Sequence, residues 1–242
     1  MPFAPAKIRT LVPVNLRHKL GTARYLALAL RDVMQWRPVS QERYTELFTA
    51  DADPFGYQLK PSEFDKFEAG IDLLKGIDND ARFGRAWEIG CAEGVFTARL
   101  APLCEQLTAV DYVPLALDRV RARCQDFSNI SLARWDLKSD PAPGSFDLIV
   151  IMDVLGSLGG RRDIRRARDK LVNALAPGGY LLYGDCFGDQ YRRRIEESWW
   201  ARPLLRGPRN VLRLVAAHSA LIEVARRETS MHLLVLFRNR KG

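Results

Sequence analysis

The sequence predicts an α/β fold, a doubly wound sheet of seven strands, mostly parallel, with helices before it and an antiparallel hairpin at its C-terminal end. Three observations predict it. Between positions 84 and 185, short apolar runs alternate with amphipathic helical segments, and strands that alternate with helices join through crossovers into a parallel sheet. The stretch "AWEIGCAEG" at 86–94 places a glycine turn between the first such run and the first helix. Near the end, "SALIEVARRETSMHLLVLFRN" at 219–239 holds two strand-like runs. The few polar residues between them are too few for a helical crossover, so the pair reads as a hairpin at one edge.

The elements follow in order. Residues 14–35 read as a helix and "QERYTELF" at 41–48 as a second, short one. A turn-rich connector with Pro54, Gly56 and Pro61 follows. Phe64, Phe67, Ile71 and Leu74 then recur at helical spacing with charged residues between them, a pattern that ends near Gly76. "RAWEIG" is the first strand, and the helix after its glycine turn carries Phe96, Leu100 and Leu103 on one face. "QLTAVD" is the second strand. Pro114 opens the next helix, which buries Val113, Leu117, Val120 and Cys124. "ISLARWD" and "FDLIVIMD" are the third and fourth strands, and a helix with Ile164, Ala167, Leu171 and Ala174 inward comes next. The turn "APGG" at 176–179 leads into the fifth strand, "YLLYGD".

A chain of 242 residues, 47% apolar and 27% charged, is long enough for one good-sized domain and is not composed like a disordered chain. Its longest apolar stretches, such as "YLALAL" at 25–30, are too short to span a bilayer. No apolar core follows Lys7 and Arg9, so a secretory leader is not expected. Cys91, Cys104, Cys124 and Cys186 form no C-x-x-C pair. They suggest neither a metal site nor a redox motif and read as buried, reduced thiols of a cytoplasmic protein. The net charge of +8 is concentrated late, with 18 Lys/Arg against 8 Asp/Glu in residues 161–242. Such a field can draw an acidic substrate, nucleic acid or an anionic membrane surface, or can be a solvated face.

In an open parallel sheet, ligands sit beyond the carboxyl ends of the strands, where the turn after "RAWEIG" lies. A dinucleotide site wants G-x-G-x-x-G against pyrophosphate. Here Gly90 and Gly94 are separated by three residues, and Glu88 and Glu93 flank them. Two carboxylates would repel a pyrophosphate in a partly desolvated site. A ligand that needs a glycine contour but is cationic at its amino-acid end fits better, and S-adenosylmethionine is one. Asp111 ends the second strand 21 residues after Gly90, the place for a carboxylate that takes ribose hydroxyls. Asp136, at the end of the third strand, can accept from an adenine amino group. Each of these acids can also be read as a capping or strand-end residue.

"WEIGCAEG", "AVD", "ARWDL", "FDLIVIMDVLGSL" and "LAPGGYLLYGD", in this order over roughly 84–240, resemble class I S-adenosylmethionine-dependent methyltransferases, which share a Rossmann-like sheet. "DPFGYQLKPSEFDKFEAGIDLL" at 53–74 and the closing hairpin are similar to the nodulation S-type N-methyltransferases, which act on aminosugar oligosaccharides. The resemblance implies S-adenosylmethionine as cofactor and S-adenosylhomocysteine as product. It implies that Glu88, Gly90, Cys91, Ala92 and Gly94 cradle the methionyl part. Asp111, with Tyr112 beside it, would take the ribose, and Asp136 with Leu137 the adenine. Tyr57 and Lys66 would belong to a lid, Lys66 standing where the family tends to show arginine. The organisation implied is an N-terminal helical segment and lid over 1–76 and a methyltransferase domain over 77–242, with a substrate-side insertion at 186–210.

What is methylated depends on the proton to be removed. A hydroxyl needs a general base, most often histidine. His18, His218 and His232 all lie away from the expected mouth of the fourth strand, whereas Asp153 sits in it, as a catalytic or cofactor-contacting carboxylate. That favours N- over O-methylation of a small-molecule acceptor, an aminosugar or an acidic compound. "MDVLGS" lacks the proline turn of adenine-N6 enzymes. Three alternatives stay open: a small-molecule O-methyltransferase, an RNA methyltransferase using the basic C-terminal face, and a non-catalytic partner of the same fold. Trp199 and Trp200 can contact substrate, core or a second copy in a homodimer.

Overall fold

In the computed structural model of the chain, residues 40–57, 61–77, 82–187 and 207–241 are described. The expected helix over 14–35, His18, and Trp199 and Trp200 lie outside them. Apolar runs at the predicted places form β1 (Phe83–Ile89), β2 (Cys104–Asp111), β3 (Ile130–Arg134), β4 (Phe146–Met152) and β5 (Leu175–Cys186), all parallel. The hairpin is β6 (Leu221–Glu228) and β7 (His232–Asn239), and β7 runs antiparallel to both β5 and β6. The order across the sheet is β3-β2-β1-β4-β5-β7-β6. The chain thus moves outward from β1 in one direction through β2 and in the other through β4. The carboxyl end of β1 is the switch point at which such sheets open a crevice.

Helices cover both faces, so the central strands are apolar on both sides. Trp87, Ile149, Ile151, Leu181 and Val235 pack toward α5 (Arg161–Ala174) and α6 (Pro208–Ala216). Ala86, Leu148, Val150, Leu182 and Leu236 pack toward α2 (Pro61–Lys75) and α3 (Val95–Leu100). Each fully buried Leu, Ile or Val contributes roughly 1.5–3 kcal/mol relative to exposure. Pro114 opens α4 (Pro114–Arg123) in its first turn, with Leu117 and Val120 inward, and Ile164, Ala167, Leu171 and Ala174 form the inner face of α5. Ahead of the sheet, α1 (Gln41–Ala50) begins at Ser40, whose hydroxyl accepts from Arg43 N. Among the described residues no helix is long and apolar enough to cross a membrane.

Four expectations need correction. "APGG" is no separate turn but lies inside β5, where the pairing with β4 shifts register between Phe146 and Leu148 and Gly178 takes a φ of +71°. The α6 helix has no counterpart in the sequence reading, although Val211, Leu212 and Val215 make one buried face. Cys186 is half-buried, unlike the three other cysteines. Phe64 is 37% exposed, under the Arg99 guanidinium, because α2 turns two charged residues inward instead. Glu63 and Lys66 are 3% and 1% exposed.

Candidate active site

The β1–α3 loop is wound by three left-handed residues: Gly90 at φ +78°, Ala92 at +51° and Gly94 at +75°. A side chain at Gly90 would put its Cβ 2.4 Å from Val154 Cγ2, so the close approach of the segment after β4 demands glycine there. The loop is pinned to β2 twice. Gly90 N and Cys91 N both donate to Val110 O, at 2.8 and 3.1 Å. The Asp111 carboxylate then accepts from Ala92 N at 3.1 Å on one oxygen and from Val113 N at 3.0 Å on the other. Burial pushes this carboxyl from 3.8 up to about 6, against the pull of those backbone donors.

A narrow cavity opens beside the loop, walled by Tyr57 and Lys66 on one side and by Glu88, Gly90, Cys91 and Met152 on the other. Glu88 is 4% exposed, and its Oε2 has no hydrogen-bond partner within the protein. Desolvation raises it from 4.5 to about 8, Thr97 pulling it back in part and Asp111 adding repulsion. Glu93 is raised to about 7, by burial first and by Asp53 next. Burial also lifts the Cys91 thiol well above its ordinary value, which makes it an inert wall rather than a nucleophile. The loop thus carries two acids that burial favours in the protonated form and an orphaned Glu88 oxygen, a site that a cation satisfies by displacing a proton and that offers no positive charge to a phosphate.

The segment before the sheet closes this cradle. Phe55, Tyr57, Phe67 and Phe96 form a ladder of rings with successive centroids 5.4, 5.3 and 5.5 Å apart. Arg119 of α4 donates to Ala52 O at 3.0 Å and Asp51 O at 2.8 Å and lies over the Phe48 ring, tying the chain after α1 to the domain. From α2, the Lys66 ammonium reaches across to the end of β4. It sits 2.7 Å from Asp153 Oδ2 and 2.9 Å from Glu63 Oε2, with the Phe67 and Tyr57 rings beside it.

Asp153 holds a left-handed φ of +58°, a conformation aspartate tolerates better than most residues, and its N donates to Gly184 O. Around it the structure overturns one expectation. His232, the first residue of β7, is paired in register with Cys186 and is fully buried. Its Nε2 lies 3.6 Å from Glu63 Oε2, and the Asp153 carboxylate, the Cys186 thiol and the His232 ring bring one atom each within 4.8 Å of one another. A histidine therefore does stand at the mouth of the fourth strand. The hairpin register puts it there, and that register depends on the pairing of residues distant in sequence.

Of the anticipated residues, Tyr57, Lys66, Glu88, Gly90 and Cys91 line the cavity; Ala92, Gly94 and Asp111 build its loop; and Asp153 joins through Lys66. Tyr112, Asp136 and Leu137 stand along the neighbouring strand ends and do not line it. The Tyr112 ring meets Tyr44 edge-on at 5.7 Å, Asp136 Oδ1 accepts from Lys138 N, and Leu137 O accepts from Lys170 Nζ. Glu63, Phe67, Arg119 and His232 were not anticipated.

The model of the family described as Nodulation protein S (NodS) matches residues 41–233. The chain belongs to this family. Nodulation protein S of Rhizobium tropici is 44% identical over 99 residues, which are 41% of this chain and 42% of that protein. Nodulation protein S of Sinorhizobium fredii is 37% identical over 144 residues, 60% of this chain and 65% of that protein. The chain thus spans less than two thirds of the length of either relative. Among solved structures, the N-methyltransferase NodS of Bradyrhizobium japonicum in complex with S-adenosyl-L-homocysteine superposes with a TM-score of 0.69 at 32% identity. That match covers 83% of this chain and 99% of the other, and the residues matched by the family model include the cradle and the ring ladder.

Proposed function

We propose that this chain is an S-adenosylmethionine-dependent N-methyltransferase whose acceptor is an amine on a small molecule of the aminosugar class. The observation that carries the reading is the buried Glu88 carboxylate, with an unsatisfied oxygen beside a glycine whose Cβ position is filled. A buried carboxyl at a loop of this contour is ionised and satisfied by an arriving ammonium, whereas a pyrophosphate would meet no positive charge there. Membership of the NodS family and the likeness to an N-methyltransferase solved with S-adenosyl-L-homocysteine support the same reading.

When bound, S-adenosylmethionine supplies an electrophilic methyl group on a sulfonium. The chain's own residues do the rest. Glu88 accepts from the ligand's ammonium, and the Gly90–Gly94 loop, with Cys91 and Ala92, shapes the methionyl end. Asp111 takes ribose hydroxyls beside Tyr112, and Asp136 with Leu137 takes the adenine edge. Residues 1–76 act as the helical segment and lid, Tyr57 and Lys66 closing over the cofactor, on a catalytic domain of residues 77–242. Asp153 orients the acceptor amine and accepts its N–H, so that much of the acceleration comes from holding the nitrogen in line. A thermal melt with S-adenosylhomocysteine tests this. At about 100 times its dissociation constant the ligand adds roughly 2.7 kcal/mol, a rise of about 5–10 °C for a domain of this size, with no rise for NADH. A rise with NADH alone would overturn the reading.

A further inference from the structure

We propose that Lys170 is a positioning residue of the adenine end: from α5 it fixes the turn after β3, so that the Asp136 carboxylate and the Leu137 N–H stand side by side and select a 6-aminopurine. The inference rests on the S-adenosylmethionine reading and deepens it with a residue that sets the choice of base. Residues 136–140 form a turn closed on itself. Asp136 N donates to Asp140 Oδ2 and Asp140 N to Asp136 O, each at 2.9 Å, and Lys138 N donates to Asp136 Oδ1 at 2.8 Å. A turn closed only on itself can still shift as one piece against the sheet. Lys170, in the third turn of α5, holds it at both ends. Its Nζ donates to Leu137 O at 2.7 Å and also to Asp140 O, and it lies over the Trp135 ring, 5.3 Å from the centroid. Trp135 is tied in turn to the sheet and the turn: its N donates to Asp111 O at 3.1 Å, and its Nε1 to Pro141 O at 2.8 Å.

What the anchored turn presents follows from what its own bonds leave over. Asp136 Oδ1 is taken by Lys138 N, and among the described residues Asp136 Oδ2 and Leu137 N have no partner. These two groups belong to adjacent residues just past β3, which lies beyond β2 from the Gly90 loop. An ionised carboxylate accepts, and a peptide N–H donates. A 6-aminopurine offers the complement along one edge, an amino donor next to a bare ring nitrogen. A 6-oxopurine offers the reverse, a carbonyl acceptor next to a ring N–H. Its carbonyl would face the carboxylate and its N–H the Leu137 N–H, leaving all four groups unpaired. Such discrimination requires the acceptor and the donor to be held at one spacing and in one plane. The Asp136–Leu137 segment is held from both sides only because Asp140 takes Asp136 N and Lys170 takes Leu137 O. The Leu137 side chain, 5% exposed in the core beside α5, fixes the third point.

Calorimetry with S-adenosylhomocysteine and with S-inosylhomocysteine, its 6-oxopurine counterpart, tests this without turnover. The wild type should bind the adenine ligand tighter by about 10²-fold, the scale of two mismatched hydrogen bonds. K170M keeps an unbranched stem beside Trp135 and removes the donors. It should weaken S-adenosylhomocysteine by about tenfold and leave S-inosylhomocysteine nearly unchanged, so that the preference shrinks to about tenfold. E88Q is the contrast. It acts at the amino-acid end that the two ligands share, so it should weaken both by one factor and keep the preference. Loss of both ligands by one factor in K170M is the mark of a merely structural role and overturns the proposal. An unchanged preference in K170M overturns it too, as does a wild type that binds the two ligands equally. Should K170M not fold, K170Q, with one donor group on a shorter stem, carries the same comparison. Failure of the wild type to bind S-adenosylhomocysteine sinks the cofactor reading itself, whereas failure of the Lys170 effect alone leaves that reading standing.

Discussion

Gly90 meets two separate obstacles to any other residue, a φ of +78° and a Cβ position 2.4 Å from Val154 Cγ2. Gly90→Ala is therefore expected to lose about 1–3 kcal/mol of stability and to weaken S-adenosylhomocysteine binding at least tenfold, read by a melt and by calorimetry. Ala92, already left-handed at +51° and buried, shows that the same loop accepts a methyl group at that position. The two acids at the ends of β2 and β4, on either side of β1, should separate by role. Asp111→Ala strips Ala92 N and Val113 N of their acceptor, a cost on the order of 1–3 kcal/mol, and should weaken cofactor binding through the loop. Asp153→Asn keeps shape and the left-handed backbone, so cofactor affinity should hold while kcat falls by about 10²-fold. Equal loss of binding in the two variants would erase the division.

At the scale of elements, Arg119 is one tie between the segment before the sheet and the domain, reaching from α4 to the carbonyls of Ala52 and Asp51 and lying over Phe48. Arg119→Ala should loosen residues 51–57 more than the sheet. Hydrogen exchange should rise there first, the melting temperature should fall by about 2–4 °C per kcal/mol lost, and binding of S-adenosylhomocysteine should weaken with the loosened Tyr57 wall. Unchanged exchange in that segment would refute it. Arg119 also marks where sequence reading stops. The strands, the glycine loop and the place of Asp111 at the end of β2 were legible because periodicity and turn chemistry are local. Lys66 was singled out only by resemblance, and its reach to Asp153 was not foreseen. Glu63 and His232 were not legible, since each looks ordinary in its own segment. Glu63 reads as a solvated helix acid and His232 as a hairpin residue, and only the sheet order β5-β7 brings them together. Phe64 alone of its face is exposed: Phe67, Ile71 and Leu74 turn inward as expected, while the first turn of α2 buries Glu63 instead.

For the whole molecule, the buried acids of the cradle couple folding, protons and ligand. Glu88 is raised from 4.5 to about 8, Glu93 to about 7 and Asp111 from 3.8 to about 6. All three bind a proton more tightly in the fold than in the unfolded chain. Across the window from about pH 4 to 8 the folded chain thus holds protons that the unfolded chain has lost, and stability falls as pH rises. The ligand-free protein should melt lower at pH 8 than at pH 6. Each tenfold gain in proton affinity that survives solvent screening adds about 1.4 kcal/mol to the deficit. An ammonium set against Glu88 reverses the preference, because it favours the ionised carboxylate and expels the proton. Binding of S-adenosylhomocysteine should therefore release protons, tighten from pH 6 to pH 8 and raise the melting temperature more at the higher pH. Calorimetry in two buffers of different ionisation enthalpy measures the release directly. Glu88→Gln is the control: it should flatten the pH dependence of the ligand-free melt, bind the ligand more weakly, and give up no proton on binding. Proton release unchanged in Glu88→Gln would remove Glu88 from the ligand's ammonium, and with it the observation on which the cofactor assignment stands.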